Sequence, residues 1–186
     1  ARISVQYPIV ELISGALVAF IPTLVYRVYG IHFLAVTGAP MTLYYLLAVI
    51  FVTVTLLLLL LSVIDIRLTI IPDEITLFLA VLGIAVIGIQ HIYGLFGEFE
   101  ANAFVGHYAL IAGFRGGVIQ NHLAAAGIGL IFFLGVLVVS KGRGMGMGDV
   151  KLAGALGLLL GWPDAIFALL LSFVLGAVSS ILFLIR

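Results

Sequence analysis

Two kinds of residue are scarce in this sequence. It contains no cysteine, which excludes disulfide bonds and metal sites built from thiolates. Charged residues make up 9% of the chain and hydrophobic residues 65%, whereas soluble domains carry about 25% charged residues. The formal net charge is zero and no basic patch is present, so nucleic acid is not an expected partner. The composition therefore excludes a soluble domain and predicts contact with membrane lipid.

Long apolar runs predict several membrane-spanning helices. A bilayer core about 30 Å thick requires roughly 20 apolar residues per helix. The runs are continuous rather than alternating, which favours helices over the strands of a barrel. We therefore predict an all-α, polytopic transmembrane bundle of about six segments. The segments are 8–29, 41–64, 74–92, 122–140 and 164–185. A shorter stretch, 150–162, is either a thin membrane span or a helix that crosses the membrane only in part.

The two ends of the sequence indicate a fragment. The first residue is Ala1 rather than methionine, and the last residue, Arg186, follows directly on an apolar run. No secretory signal pattern opens the chain. We interpret residues 1–186 as a single transmembrane domain from a longer chain.

The placement of lysine and arginine predicts the orientation of the bundle. If the chain starts in the cytoplasm and all segments cross, basic residues concentrate inside, as they do in most membrane proteins. Residues 93–121 then form an outer loop, for which an interfacial helix is predicted at 103–114. Asp65 and Asp149 fall on the same, cytoplasmic face. The inner basic residues are Arg2, Arg67, Lys141, Arg143, Lys151 and Arg186, and the outer ones are Arg27 and Arg115.

Asp65 is an acidic residue at the end of a solidly apolar segment. The C-terminal end of a helix disfavours an anion. A charged side chain in the membrane costs about 2.5–3.5 kcal/mol at the centre and less near the edge. A carboxylate in such a position usually has a functional role. The alternative is a solvated residue that pairs with Arg67.

A second acidic pair, Asp73 and Glu74, follows Pro72. Proline suits the first turn of a helix, and the N-terminal end of a helix favours negative charge. The simplest interpretation of these two acids is that they cap the next helix.

Asp149 follows four glycines that alternate with other residues from Gly142 to Gly148. One interpretation is that Asp149 caps a helix starting at Val150. A loop needs only one or two glycines, however, and glycine permits sharp bends and the close approach of another chain. The run therefore suits a segment that admits a substrate. Capping and catalysis are compatible roles for Asp149.

Two acids at one membrane face suggest an aspartyl pair. Close carboxylates cannot both ionise easily, so one of them keeps its proton. The ionised carboxylate can then take a proton from water while the protonated one donates to a carbonyl. Such acid–base catalysis contributes about 10²–10⁴-fold in rate. Asp65 and Asp149 are accordingly predicted to be catalytic.

Three blocks of the sequence carry a family resemblance. The string "GMGD" at 146–149, followed by "VKLAGALG", resembles the motif of the GxGD intramembrane aspartyl proteases, and among them the type IV prepilin peptidases. The string "IDIRLTIIPDEIT" at 64–76 resembles that family's first aspartate region. The string "ISVQYPIVELISG" at 3–15 resembles the start of its transmembrane part. The three blocks occur in the family's order.

The resemblance implies a specific reaction. Asp65 and Asp149 match the catalytic aspartates. Gly146, Gly148 and, less directly, Lys151 and Asp73 are expected to support the site or bind the substrate. The substrate would be the helix of a prepilin or pseudopilin, cut at the cytoplasmic face of the bacterial inner membrane.

The same resemblance limits the expected cofactors. The peptidase reaction needs none and no metal. Many relatives also methylate the new N-terminal amine with S-adenosylmethionine, so that cofactor is implied only if the full-length protein has a methyltransferase activity. The cysteine-rich, zinc-binding region of the bifunctional relatives is lacking in this sequence.

Several residues have simpler alternative roles. Lys151 is either a cytoplasmic membrane anchor or a cation near the acidic pair. Gly157 and Gly161 form a GxxxG pair that is expected to let helices pack closely. The histidines, which lack the close spacing of a zinc site, are His32, His91, His107 and His122.

An alternative function is an ion- or proton-coupled transporter that uses the same acids. A transporter predicts charge deeper within the spans and paired broken helices. The acids here lie at span ends and no repeat is present, which favours the protease.

Overall fold

The computed structural model of the protein describes residues 6–26, 41–93 and 117–185. All regular structure in these ranges is helical, which confirms the predicted all-α class. The interfacial helix predicted at 103–114 lies outside the described residues. The helices are α1 (Gln6–Val25), α2 (Met41–Leu68), α3 (Asp73–Ile92), α4 (Val118–Val139), α5 (Met147–Leu160) and α6 (Asp164–Ile185).

Three of these helices, α2, α3 and α4, are long and apolar enough to cross a membrane. Their outward-facing side chains are apolar: Val49 is 62% exposed, Leu77 68% and Ile131 73%. In water such surfaces would be unfavourable, whereas lipid tails solvate them well. The protein is therefore a helical membrane protein, as predicted.

Helix α5 is the shortest of the described helices, with 14 residues. At a rise of about 1.5 Å per residue it is roughly 21 Å long, less than a bilayer core of about 30 Å. Of the two alternatives left open by the sequence, this length favours a helix that crosses only in part.

The buried core is organised around α5. Six of the 14 residues of α5 are buried, among them Val150, Ala155 and Leu159. Ala155 and Leu159 share a cluster with Val54 of α2 and Leu79 of α3. On another side, Val150 packs with Phe133 of α4. Helix α5 thus lies in the middle of the bundle, with α3 and α4 as its main neighbours.

Glycines allow this central position. An added Cβ at Gly157 would collide with the backbone of Ala126 in α4, and one at Gly83 of α3 would lie 3.0 Å from Leu158. The close packing predicted for the GxxxG pair is confirmed at Gly157. It is confirmed at Gly161 too, where an added Cβ would lie 2.5 Å from the Asn121 Oδ1 of α4; Gly161 also ends α5, with a φ of 72°.

Candidate active site

Asp149 lies at the N-terminal end of α5, partly buried. The helix begins at Met147 rather than at Val150, so the suggestion that Asp149 precedes a helix starting there is wrong. Asp149 is the third residue of the helix. Its Oδ2 accepts a hydrogen bond of 3.0 Å from the Gly146 N–H. The side chain therefore caps the helix from inside the first turn, because it satisfies one of the N–H groups that a helix start leaves without a partner.

The glycines before Asp149 serve different structural purposes. Gly142 has a φ of 72°, a conformation that other residues rarely adopt, and its N–H donates to the Leu137 carbonyl to close α4. Gly148 permits a close approach, because an added Cβ would lie 2.8 Å from the Ile71 Cβ. The run thus combines a sharp bend with close packing against the turn between α2 and α3.

Asp65 lies in the last turn of α2. The helix continues past the predicted end at Ile64 to Leu68, and the Asp65 carbonyl accepts from the Thr69 N–H at 2.8 Å. The side chain is exposed, and none of the ion pairs within the described ranges involves it. Helix α2 has 28 residues. At about 1.5 Å per residue, its roughly 42 Å exceed a bilayer core of about 30 Å, so α2 is long enough for its last turn to lie at the membrane edge.

Asp65 and Asp149 lie at the same end of the bundle. Ile71 is the third residue after the end of α2 and contacts Gly148, the residue before Asp149. One helical turn and two further residues separate Asp65 from Ile71, so their Cα atoms lie within about 15 Å of each other. The fold therefore brings together two chain segments that are far apart in sequence.

Asp73 and Lys151 form an ion pair at this same end. The Lys151 Nζ donates to both carboxylate oxygens of Asp73 at 2.7 Å. Asp73 and Glu74 lie in the first turn of α3, as predicted, but the N-cap is Pro72 and no side-chain hydrogen bond caps the helix. Residues two apart on a helix do not face each other, so Lys151 projects away from Asp149. The pair fastens the start of α5 to the start of α3.

A groove of about 550 Å³ opens between α3, α4 and α5. Asp73 and Lys151 lie at one end of it. Its wall includes Leu77 of α3, Leu130 of α4 and Gly154 of α5, where an added Cβ would lie 2.9 Å from Leu130. The groove is thus an apolar surface that begins beside the ion pair.

A polar cluster at the other end of α5 was not singled out from the sequence. Gln90, Asn121 and His122 are 2%, 8% and 3% exposed. Only Gln90 lies inside a predicted apolar segment, 74–92, where a polar group is costly and usually paired; Asn121 and His122 lie at the boundary of the predicted outer loop, where polar residues are ordinary. Within the described ranges, no group of three His, Cys, Asp or Glu side chains converges in a way that could hold a metal ion.

Comparison with known proteins bears on this arrangement. A family model described as the type IV leader peptidase family matches residues 52–181, more than half of the chain. Comparison with curated proteins gives no match, and comparison with solved structures gives none either. The matched range leaves out the block at 3–15. It contains all six residues predicted for the site, namely Asp65, Asp73, Gly146, Gly148, Asp149 and Lys151.

Proposed function

The chain belongs to the type IV leader peptidase family, and on that premise we propose that it is an aspartic endopeptidase that removes the leader of a type IV prepilin or pseudopilin. The family makes the protein a peptidase. The aspartic mechanism and the substrate are our proposal. The observation that supports them best is the contact of Gly148, the residue before Asp149, with Ile71 in the segment that follows Asp65.

In this mechanism the two carboxylates share the work of hydrolysis. The ionised one takes a proton from a water molecule, whose oxygen attacks the carbonyl carbon of the scissile peptide. The protonated one donates its proton to the carbonyl oxygen. The resulting tetrahedral intermediate then collapses: the first carboxyl group gives its proton to the leaving amine as the C–N bond breaks, and the second carboxylate takes a proton back from a hydroxyl group of the intermediate. Water is consumed, and the two carboxyl groups end with one proton between them, as they began.

The helix ends favour a particular division of roles. The N-terminal end of a helix stabilises an anion, and the C-terminal end does not. Asp149 lies in the first turn of α5 and Asp65 in the last turn of α2. We therefore assign the ionised, water-activating role to Asp149 and the proton-donating role to Asp65.

We place this reaction at the cytoplasmic face of the bacterial inner membrane. The described basic residues Arg67, Lys141, Arg143 and Lys151 all occur near the end of the bundle that holds both aspartates. Cytoplasmic loops are enriched in lysine and arginine, which supports this orientation. A substrate helix anchored in the same membrane would present its leader junction at this height.

Conversion of either aspartate to asparagine tests the proposal. Asp65→Asn and Asp149→Asn remove the acid–base function while they preserve the size of the side chain. We expect each to lower the rate of leader cleavage by about 10²-fold or more in detergent or liposomes containing a prepilin substrate.

The matched control is Glu74→Gln, an exposed acid near the same end of the bundle that has no part in the proposed mechanism. It should cleave at the wild-type rate. Circular dichroism should show unchanged helix content in all three variants. Cleavage at a near wild-type rate by folded Asp65→Asn or Asp149→Asn would refute the aspartic mechanism.

A further inference from the structure

The end of α5 that lies away from Asp149 is held by three buried side chains, Gln90, Asn121 and His122, which we call the polar clamp. The His122 Nδ1 lies 2.8 Å from the Leu158 carbonyl oxygen, and its Nε2 lies 2.9 Å from the Gln90 side chain. The Asn121 amide donates to the Trp162 carbonyl at 3.0 Å and accepts from the Trp162 N–H at 2.8 Å. The clamp thus joins α3 and α4 to the end of α5 and the turn after it.

These bonds meet a need that arises at the end of α5. The last carbonyls of any helix lack partners within the helix. Around the C-terminal end of α5 the side chains of Gln90, Asn121 and His122 are buried, so water has little access to these carbonyls. The Gly161 N–H bonds the Gly157 carbonyl, and His122 bonds the Leu158 carbonyl. A neutral imidazole does this with an Nδ1–H, and its Nε2 then accepts from the Gln90 amide nitrogen, because the two ends of that amide are interchangeable.

The contacts of α5 with its neighbours are of two kinds. Small residues meet where Gly157 rests on Ala126 and Gly83 rests on Leu158, whereas Val150 and Leu159 pack into core clusters with the neighbouring helices. Small residues let helices approach closely. Hydrogen bonds, in contrast, weaken steeply when distance or angle changes, so they select one register along the helix axis.

We propose that the polar clamp is a positioning device that sets the height of Asp149 relative to Asp65; this inference rests on the proposed function. Leu158 and Asp149 are joined by continuous helix, about 13 Å long at 1.5 Å per residue. A helix is stiff along its axis, so a shift at Leu158 moves Asp149 by a similar amount. Gln90, Asn121 and His122 act through α5 and do not touch the substrate.

The test compares cleavage with the geometry of the site. His122→Leu removes both imidazole bonds, and His122→Asn keeps an amide that can replace the Nδ1–H. His91→Leu is the matched control, because it removes an exposed imidazole next to Gln90. A misplacement of about 1 Å can cost up to 10²-fold in rate. We therefore expect His122→Leu to lower kcat at least about tenfold with KM within about twofold. His122→Asn should recover most of kcat, and His91→Leu should match wild type.

A second readout does not depend on activity. The sequence has no cysteine, so spin labels can be attached at Ile66→Cys and Met147→Cys, which are 81% and 53% exposed and lie beside the aspartate-bearing segments. Pulsed electron paramagnetic resonance should show a shifted or broadened label distance in His122→Leu and a wild-type distance in His91→Leu. If His122→Leu does not fold, Gln90→Met replaces it, and a smaller change in the same direction is expected.

Two results would overturn the proposal. One is a folded His122→Leu, or its substitute, with kcat close to wild type. The other is a lost kcat with an unchanged label distance, which would mean that the clamp does not act through the position of α5. If the wild-type protein itself fails to cleave prepilin, the proposed function fails, whereas the label distances still decide whether the clamp positions α5.

Discussion

Replacement of Gly157 by alanine measures how tightly α5 is packed against α4. An ideal Cβ at this position would lie 2.8 Å from the Ala125 carbonyl carbon and closer still to the Ala126 backbone. Backbone atoms cannot rotate away as a side chain can. Alanine gains about 0.5–1 kcal/mol over glycine in a helix, but overpacking costs about 1–3 kcal/mol. Because the obstacle is backbone, we expect a net loss of about 1–2 kcal/mol in the free energy of unfolding.

The matched control for this change is Gly135→Ala in α4. Gly135 is exposed, and an added Cβ would meet nothing within 4 Å. This variant should therefore gain about 0.5–1 kcal/mol from helix propensity alone. Unfolding of the purified proteins in detergent, followed by circular dichroism against denaturant, gives both values. If Gly157→Ala proves as stable as Gly135→Ala, the close contact between α4 and α5 does not exist and the argument about α5 fails.

Two other contacts at the start of α5 give further predictions. Lys151→Met should lower the free energy of unfolding by no more than about 1 kcal/mol, since the ion pair with Asp73 is exposed. The charge exchange Lys151→Asp with Asp73→Lys should restore the lost stability. No recovery would mean that the ion pair is not formed. Gly148→Ala should slow leader cleavage because its Cβ would lie 2.8 Å from the Ile71 Cβ. Adding Ile71→Gly, which removes that Cβ, should restore part of the rate, and a double variant as slow as Gly148→Ala would contradict the contact.

The start of α5 shows where sequence reasoning about helix boundaries succeeds and fails. The apolar pattern predicts a helix from Val150 because hydrophobic periodicity begins there. The helix actually begins at Met147, since Asp149 can reach back to the Gly146 N–H and stabilise a glycine-containing first turn. Glycine and aspartate in a sequence favour the prediction of a loop, and only the geometry of the turn shows that these residues are helical.

Long-range pairs were less predictable than the helices. Lys151 and Asp73 were both predicted to belong to the site, but Asp73 was expected to cap α3. A sequence shows directly only the neighbours along the chain, so it does not reveal that Lys151 is the partner of Asp73. The pair is set by the side-by-side packing of α3 and α5. The same holds for His122 and Gln90, whose partners in space lie on three different helices. Nothing in the local sequence shows that these two side chains meet.

The position of Asp149 depends on the whole bundle, because α5 lies at its centre and packs mainly against α3 and α4. The helix is short, its packing surface consists largely of glycine and alanine, and both of its ends are held by side chains from other helices. At one end, Ile71 and Asp73 belong to the segment that follows Asp65, so the same segment that carries one aspartate fixes the start of the helix that carries the other. A displacement of α2 or of its turn would therefore move the two acids together and largely conserve their separation. At the other end no such linkage exists, because the polar clamp belongs to α3 and α4. A change at the clamp can therefore alter the separation of the two acids without displacing α2 or its turn.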